Sequence, residues 1–247
     1  MITGAGSGIG AALARHYARP GMRLSLTGRN RARLDAVAAE CGQLGAQIAL
    51  HIGDVMDAKS LGDWLVACDD EKPVDLIIAN AGIGGDMVLA GDTGENLERA
   101  GKIIGTNVNG VIHAIVPLLP RLLGRRHGAI VIIGSLAGFI GLGESPLYCA
   151  SKAAVRMYGL GLHRLLSPAG IGVTVASPGF IDTPMSASLK RKLPFLWSAQ
   201  KAARHIASGV ARGKRELIFP WPLALAVKLA AVLPQRWVDR ILAGVGA

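Results

Sequence analysis

Apolar runs that alternate with helical stretches constrain the fold of this 247-residue chain more than any other feature. The run at 74–79 is typical of a strand that is buried on both faces of a sheet. Other strands are predicted at 23–29, 46–52, 129–133, 171–176 and 216–219, and helices at 11–19, 30–41, 57–68, 148–166 and 198–212, with a further helical region around Asn107. This alternation predicts an α/β fold with a doubly wound parallel sheet and helices on both of its faces.

A glycine-rich turn lies near the start of the chain, with the sequence Thr3-Gly4-Ala5-Gly6-Ser7-Gly8-Ile9-Gly10. Glycine permits a tight turn and lets the backbone approach a phosphate closely. A helix that begins directly after such a turn has free amide groups that bind an anion. Only Met1 and Ile2 precede the turn, so we expect the first strand to be very short or truncated.

Polar residues follow several predicted strands, at the point where each strand ends. Arg29, Asp54, Asn80 and Ser135 lie at such ends, as does the segment 177–185. The carboxyl ends of parallel strands share one edge of the sheet, and ligands bind beyond that edge. These residues are therefore expected to line one site.

Tyr148 and Lys152 are four residues apart on a predicted helix, which places them one turn from each other on the same face. A tyrosine hydroxyl has an ordinary pKa of ~10 and is a poor base at neutral pH. A neighbouring ammonium favours the phenolate and lowers that pKa, so such a pair can move a proton on or off a substrate oxygen. Taken alone, such a pair is more often a packed tyrosine beside a solvated lysine.

Together these motifs resemble those of the short-chain dehydrogenase/reductase family, classical type, over about residues 1–220. The family's Thr-Gly-x-x-x-Gly-x-Gly pattern matches residues 3–10, and its Asn-Ala-Gly pattern matches residues 80–82. Its Pro-Gly segment with a downstream threonine matches residues 178–183. The resemblance implies a single NAD(P)-binding domain of Rossmann type over 1–247. Within it, residues 186–247 would form a substrate-covering loop, the last strand and the C-terminal helices.

The resemblance also implies an enzyme that transfers hydride between a nicotinamide cofactor and a carbonyl or alcohol. The bound nicotinamide would supply the hydride, which no side chain can do. Its catalytic set would be Asn107, Ser135, Tyr148 and Lys152. Tyr148 would exchange the proton, Lys152 would lower its pKa, and Ser135 would polarise the substrate oxygen. Asn107 would hold a water that links Lys152 to solvent.

Cofactor contacts are implied for a second, larger set of residues. Asp54 and Val55 would hold the adenine, Thr183 the nicotinamide amide, and Lys152 the nicotinamide ribose. The complete set is Thr3, Gly4, Gly6, Ser7, Gly8, Ile9, Gly10, Arg29, Asp54, Val55, Asn80, Ala81, Gly82, Tyr148, Lys152, Pro178, Gly179, Ile181 and Thr183.

The residue after the second strand indicates which cofactor the chain binds. NAD-specific relatives place an acid there, whereas in this chain Gly28 is followed by Arg29. An acid would repel a 2′-phosphate and an arginine binds it, which favours NADP(H) over NAD(H). An ordinary surface arginine remains the alternative, because Arg31 and Arg33 form a cluster with it. Ser7 counts against NADP(H), because many NADP-dependent relatives carry a second basic residue at that position of the glycine-rich turn.

The net charge of +10 is concentrated in the C-terminal quarter. Residues 186–247 hold 11 Lys and Arg against two acids, a net charge of +9. The same quarter contains an apolar run at 223–233 and three of the four tryptophans, Trp197, Trp221 and Trp237. The run is about half the ~20 residues that span a bilayer. These features suit peripheral contact with a membrane surface. A helix that closes the substrate pocket or packs on another subunit is the favoured alternative, because buried helices of this length are commoner than interfacial ones.

Other classes of protein fit the sequence less well. The three cysteines, far apart, show no metal-ligand or disulfide spacing, and no secretory signal is recognised, which suits the cytoplasm. No nucleic-acid-binding motif accompanies the basic quarter. A non-catalytic nucleotide sensor on this fold would usually lose Tyr148 or Lys152. We therefore expect a cytoplasmic enzyme without metal or nucleic acid, forming a homodimer or homotetramer and acting on a small lipophilic carbonyl or alcohol.

Overall fold

A parallel sheet with helices on both faces dominates the computed structural model, which describes residues 1–84, 97–187, 189 and 193–245. The strands in these residues are β1 (Ile2–Thr3), β2 (Arg23–Gly28), β3 (Gln47–Ile52), β4 (Leu76–Ala79), β5 (Gly128–Ile133), β6 (Ile171–Pro178), β7 (Ile181–Asp182), β8 (Trp197–Ser198) and β9 (Glu216–Phe219).

The helices in the same residues are α1 (Gly8–Tyr17), α2 (Arg31–Gln43), α3 (Ala58–Glu71), α4 (Leu97–Ile104), α5 (Gly110–Ile115), α6 (Leu119–Arg125), α7 (Pro146–Leu166), α8 (Pro184–Ala187), α9 (Ala199–Ala211), α10 (Trp221–Ala230) and α11 (Gln235–Val245). Two predicted helix caps are confirmed. The side chain of Asn30 accepts a hydrogen bond from the Arg33 amide at 2.9 Å, and that of Asp57 accepts one from the Ser60 amide at 3.0 Å.

The main sheet has the strand order β3-β2-β1-β4-β5-β6-β9, and every neighbouring pair is parallel. The predicted fold class is therefore confirmed. β1 has only two residues and lies near the centre, where Ile2 pairs with Leu26 of β2 and with Ile78 of β4. The strand order reverses between β1 and β4, which is where a doubly wound sheet opens a crevice for ligands.

Two apolar layers cover the faces of the sheet. Successive β5 side chains alternate between them, with Val131 in the layer that packs on α1, α2 and α9, and Ile130 and Ile132 in the layer that packs on α3, α5 and α7. All three side chains are fully buried. A parallel strand buried on both faces needs such a continuous apolar sequence, which is why these strands were predictable.

Two boundaries differ from the prediction in ways that affect the site. α1 begins at Gly8, inside the glycine-rich turn, rather than at Ala11. The helical region around Asn107 is divided into α4, a wide π-helical turn over Gly105–Asn109, α5, a 3₁₀ turn and α6. Prolines 117 and 120 lack the amide hydrogens that a continuous helix needs in its second half.

A buried carboxylate joins α3 to α6. Asp69 accepts two hydrogen bonds from Arg125, at 2.8 and 2.9 Å, one from Arg121 at 3.2 Å and one from the Val74 amide at 2.8 Å. Burial alone would raise the pKa of Asp69, but the bonds from Arg125, Val74 and Arg121 outweigh it and hold that pKa below its usual value. The carboxylate is therefore kept charged and fully paired.

One helical stretch in the described residues, Leu97–Arg125, is long and apolar enough to cross a membrane by length and composition. Half of its most apolar part is buried, and the stretch packs against α3 and α7. It also carries Asn107, so it contributes to the site at the sheet edge.

Candidate active site

The glycine-rich turn is packed so closely that side chains are excluded at two positions. Gly4 has a φ of +64°, and a Cβ there would lie 2.8 Å from the Cα of Ala81. A Cβ at Gly10 would lie 2.3 Å from the carbonyl oxygen of Gly4. The turn therefore rests directly on the residues that follow β4. Gly6 belongs to the same turn, and Ile9 packs partly buried against the core.

Thr3 and Asn80 hold the ends of β1 and β4 together. The Asn80 Nδ2 donates to the carbonyl oxygens of Thr3 and Gly4, at 3.0 and 3.1 Å. The amides of Asn80 and Ala81 both donate to Thr3 Oγ1 at 3.0 Å. These residues shape the turn through bonds to each other, and their direct contact with a cofactor stays a prediction.

The N-terminus of α1 faces the segment that follows β6. Ser7 occupies the N-cap position, and its side chain makes no capping hydrogen bond. The first amides of a helix have no partner within the helix, so those of α1 can bind an anion. Gly8 has a φ of +54°, and a Cβ there would lie 3.0 Å from Cγ2 of Thr183. The glycine-rich turn and Thr183 are therefore immediate neighbours.

Ser135 and Tyr148 come together at the site. Hydrogen bonding with Ser135 acts to lower the pKa of Tyr148, and Ser135 Oγ accepts from the Ala137 amide at 3.2 Å. Ser135 lies just beyond β5, and Tyr148 lies in the first turn of α7. The structure thus places both hydroxyls at the predicted ligand edge of the sheet.

Lys152 is buried and lies on α7, one helical turn after Tyr148. It is 5% exposed, its Nζ donates to the carbonyl oxygen of Ile133 at 3.1 Å, and Nζ is 5.8 Å from the centre of the Tyr148 ring. Burial lowers the pKa of Lys152 to about 8. The lysine is therefore mostly charged at neutral pH but close to titrating.

The pKa of Tyr148 shifts in the direction opposite to the one expected from its lysine neighbour. Burial raises the pKa of Tyr148 above its ordinary value, and only the hydrogen bond with Ser135 acts to lower it. The reason is geometric, because the Lys152 ammonium is directed at Ile133 and not at the phenol oxygen. In this structure the phenol is therefore protonated at neutral pH.

Asn107 uses its whole amide group to fix the residues around it. Its Oδ1 accepts from the Ile83 amide at 2.8 Å, and its Nδ2 donates to the Ile83 carbonyl at 3.1 Å and to Ser151 Oγ at 3.0 Å. Ser151 Oγ in turn donates to the carbonyl of Tyr148 at 2.7 Å. Asn107 therefore couples the segment after β4 to the first turns of α7, and one lone pair of Oδ1 remains for a further donor.

Gly82 connects the glycine-rich turn to the candidate catalytic set. A Cβ at this position would lie 3.2 Å from Asn107 Oδ1 and 3.4 Å from Lys152 Nζ. A side chain here would therefore crowd both groups. The Asn-Ala-Gly segment thus begins at the glycine-rich turn and ends beside the lysine.

Arg29 and Asp54 lie together at the ends of β2 and β3. Arg29 is largely exposed, and its Nη1 is 3.5 Å from Asp54 Oδ2, a weak surface contact. Val55 is buried, and a Cβ at Gly110 would lie 2.5 Å from its Cγ2. The side chain of Val55 therefore packs on α5, and its contact with the adenine stays a prediction, as does that of Asp54.

The segment after β6 is walled by α10. A Cβ at Gly179, which follows Pro178, would lie 3.0 Å from Leu223 Cδ1 and 3.1 Å from both Leu136 Cδ1 and Pro220 Cδ. Ile181 is buried and begins β7, which pairs with β8. The C-terminal quarter therefore reaches the site through Leu223. Part of the predicted substrate-covering loop, at 188 and 190–192, lies outside the described residues.

Three residues of this site were missed at the level of sequence. Ser151 lies three positions after Tyr148 on a helix, so the spacing alone would have placed it beside the same turn. Ile83 contributes only backbone groups, which no side-chain pattern can indicate. Leu223 belongs to the apolar run of the C-terminal quarter, whose packing partner the sequence left open.

Comparison with known proteins identifies the family of the chain. The family model described as short chain dehydrogenase matches residues 1–194. An uncharacterized oxidoreductase of Myxococcus xanthus is 35% identical over 242 residues, covering 97% of this chain and 94% of that protein.

Two solved structures are similar over nearly the whole chain. A short-chain dehydrogenase from Sphingobium yanoikuyae in complex with NADPH has a TM-score of 0.81 at 28% identity, covering 99% of this chain and 92% of that one. A bulky-bulky ketone specific alcohol dehydrogenase from Comamonas testosteroni has a TM-score of 0.78 at 25% identity, covering 99% and 91%. The chain belongs to the short-chain dehydrogenase/reductase family and is an oxidoreductase of that family.

The site fits the nicotinamide cofactor that the family implies. Gly4 and Gly10 have no room for a Cβ, and the N-terminus of α1 offers uncapped amides to a diphosphate. Thr183 stands next to Gly8 of that turn. The residues present are therefore suited to an extended dinucleotide along the sheet edge.

Proposed function

We propose that this protein is an NADP(H)-dependent oxidoreductase that interconverts a bulky, lipophilic carbonyl compound and its alcohol. The observation that carries the proposal is that Ser135, just beyond β5, and Tyr148, in the first turn of α7, share one edge of the sheet with the buried Lys152 one helical turn away. The bound cofactor would supply or accept the hydride, which no side chain can do. The protein groups would bind the substrate oxygen and move its proton.

Tyr148 is assigned the role of proton donor in carbonyl reduction. Because burial raises its pKa, the phenol holds its proton at neutral pH and can give it to a developing alkoxide. Ser135 would donate a hydrogen bond to the same substrate oxygen, which stabilises the charge that builds up there. The hydrogen bonding of Tyr148 with Ser135 supports a shared oxygen ligand.

Lys152 and Asn107 are assigned the role of supplying a new proton to Tyr148 from solvent. The Lys152 ammonium would favour the phenolate that remains after Tyr148 has given up its proton, and would bind the nicotinamide ribose. The remaining lone pair of Asn107 Oδ1 would hold a water that connects Lys152 to solvent. Their common approach to Gly82 supports this arrangement. Catalytic roles for all four residues are part of the proposal.

The preference for NADP(H) rests on Arg29. Among the described residues, the one ion pair of Arg29 is the weak contact with Asp54. A 2′-phosphate can therefore replace Asp54 as the partner of the guanidinium with little loss of free energy. The NADPH complex of the Sphingobium relative supports a dinucleotide with that phosphate. We also propose that the cofactor contacts the glycine-rich turn at 3–10, the Asn-Ala-Gly segment at 80–82 that follows β4, and the segment at 178–183.

Arg29→Ala should weaken NADPH binding much more than NADH binding, because only NADPH carries the 2′-phosphate. A charge-assisted hydrogen bond contributes on the order of 1.5–3 kcal/mol, or roughly 10- to 150-fold in affinity. Cofactor titration followed by fluorescence measures both constants. Arg31→Ala is the matched control, since Arg31 is also exposed and lies two residues away. An equal loss for both cofactors would show that Arg29 has no selective role.

A lipophilic substrate is supported by the apolar surroundings of the catalytic set. Leu136 and Leu223 wall the segment after β6. An open cleft of about 490 Å³ borders the turn after Ser135 and the start of α7, and its lining includes Phe139, Ile140 and Leu142. The ketone specificity in the name of the Comamonas relative points to the same class of substrate.

Turnover of a carbonyl panel tests the proposed function. We expect the purified chain to oxidise NADPH in the presence of bulky aryl or alkyl ketones, and to act less well on short polar aldehydes. The measurement is the loss of nicotinamide absorbance, with product identified by mass spectrometry. A protein that binds NADPH but reduces no member of the panel and oxidises no corresponding alcohol would instead be a nucleotide-binding sensor.

A homodimer or homotetramer is proposed from exposed apolar side chains on neighbouring helices. Met157 and Leu165 on α7 are 60% and 70% exposed, and Leu123 on α6 is 43% exposed. Surface of this kind is commonly covered by another copy of the chain. A light-scattering mass equal to one chain, 25.6 kDa, would contradict the proposal.

A further inference from the structure

Exposed apolar side chains form a stripe along the outer face of α10. Trp221, Leu225, Leu229 and Val232 are separated by four, four and three residues, so they share one side of the helix and the turn after it. They are 75%, 51%, 51% and 79% exposed. A helix at the surface of a globular protein normally places polar residues on such a face. This face therefore has the composition of a contact surface.

The opposite face of α10 is attached to the site. Ala224 and Val227 are buried, and Leu223 approaches Gly179, which also lies close to Leu136, the residue after Ser135. The helix therefore has two apolar sides, one on the wall of the substrate region and one towards solvent. Whatever covers the outer side lies one helix diameter from that region, about 10 Å.

Basic residues accompany the stripe. Lys228 lies on α10 beside it, and Arg236 and Arg240 lie on α11, all three exposed. Asp239 is the one acidic residue between positions 221 and 247. Trp237, on α11, is 53% exposed. Tryptophan and basic residues beside an apolar helical face are the composition of a helix that lies in the interface of an anionic membrane.

We propose that α10 and α11 form a docking surface for an anionic lipid membrane, with Trp221, Leu225, Leu229 and Val232 entering the headgroup region. Apolar burial and attraction between Lys228, Arg236 and Arg240 and the lipid charge both contribute to binding, and salt screens the second contribution. Docking itself does not depend on the oxidoreductase reaction. Its benefit, that an apolar substrate reaches the pocket wall directly from the lipid, rests on the proposed function.

Vesicle sedimentation with the full chain tests the docking surface. The vesicles are phosphatidylcholine alone or phosphatidylcholine mixed with phosphatidylglycerol, each at low and high salt. We expect retention on the mixed vesicles, reduced by high salt, and weaker retention on phosphatidylcholine. Leu225→Glu should weaken partitioning about tenfold, because it removes an inserted side chain and adds a repelled charge.

Leu44→Glu is the matched control, since Leu44 is 49% exposed and Leu225 is 51% exposed, at sites in different parts of the fold. It should bind vesicles like the unmodified chain. Circular dichroism and turnover of a water-soluble ketone, both unchanged in Leu225→Glu, separate lost docking from lost folding or catalysis. The proposal is overturned if the full chain stays with the supernatant, or if both variants lose binding equally. If the unmodified protein binds no vesicle and light scattering shows that Leu225→Glu dissociates an oligomer, this face of α10 is a contact between copies of the chain, which also overturns the proposal.

Discussion

Tyr148→Phe should lower turnover by at least ~100-fold and retain NADPH binding. The substitution removes the hydroxyl that Ser135 contacts and keeps the ring that packs at the start of α7. Without that oxygen, the remaining groups can polarise a carbonyl but cannot complete the proton transfer. Steady-state rates with a ketone identified from the panel, together with a cofactor titration, provide the measurement.

Tyr158→Phe is the matched control for this experiment. Tyr158 lies on the same helix, ten residues further along, is half-buried, and has a pKa raised by burial. Its ring packs against the apolar layer that includes α3 and α5 rather than facing Ser135. The control should retain turnover within about twofold. Near-normal turnover in Tyr148→Phe would show that the proton comes from another group.

Asp69→Ala should reduce the free energy of unfolding by about 3–5 kcal/mol. The substitution leaves the Arg125 guanidinium and the Val74 amide without their acceptor, and both are partly or wholly removed from water. Asp70→Ala is the matched control at the next position. Asp70 is 59% exposed and pairs only with Arg121 among the described contacts, so its loss should cost at most about 1 kcal/mol. Urea unfolding measures both variants.

The lowered pKa of Asp69 determines how the difference in unfolding free energy between the unmodified protein and Asp69→Ala depends on pH. A carboxyl whose pKa is lower in the folded than in the unfolded state adds stability that is fully present above its unfolded pKa, near ~4. That stability is lost as pH falls through the lowered folded value. The advantage of the unmodified protein over Asp69→Ala should therefore hold at neutral pH and shrink in acid. If Asp69→Ala and Asp70→Ala lower the free energy of unfolding by the same amount, Asp69 has no special role in stability.

The strands and the ligand edge were predictable because local rules determine them. Strands buried on both faces require apolar runs such as the one that contains Ile77, and parallel strands must end at one edge. The glycines at 4 and 10 were predictable because backbone crowding there tolerates no Cβ. Asn30 and Asp57 cap helices through contacts within three residues, which the sequence displays directly.

The relations between distant segments were not predictable in the same way. Asn107 lies in a π-helical turn and bonds Ile83 and Ser151 from there, and such a turn has no clear sequence signal. The spacing of Tyr148 and Lys152 gave their common face correctly, but it could not show that the ammonium binds the Ile133 carbonyl. Burial then determines the direction of the Tyr148 pKa shift, and burial is a property of the whole fold.

Transfer of deuterium from the cofactor to the substrate carbon tests the proposed hydride transfer. NADPH deuterated at C4 of the nicotinamide, prepared as each of its two stereoisomers, is incubated with the protein and a ketone from the panel. If the proposed hydride transfer is correct, one stereoisomer delivers its deuterium to the carbinol carbon of the product, detected by mass spectrometry, and Tyr148→Phe suppresses the product. Alcohol formed without deuterium from either stereoisomer, or tight cofactor binding without any product, would contradict it.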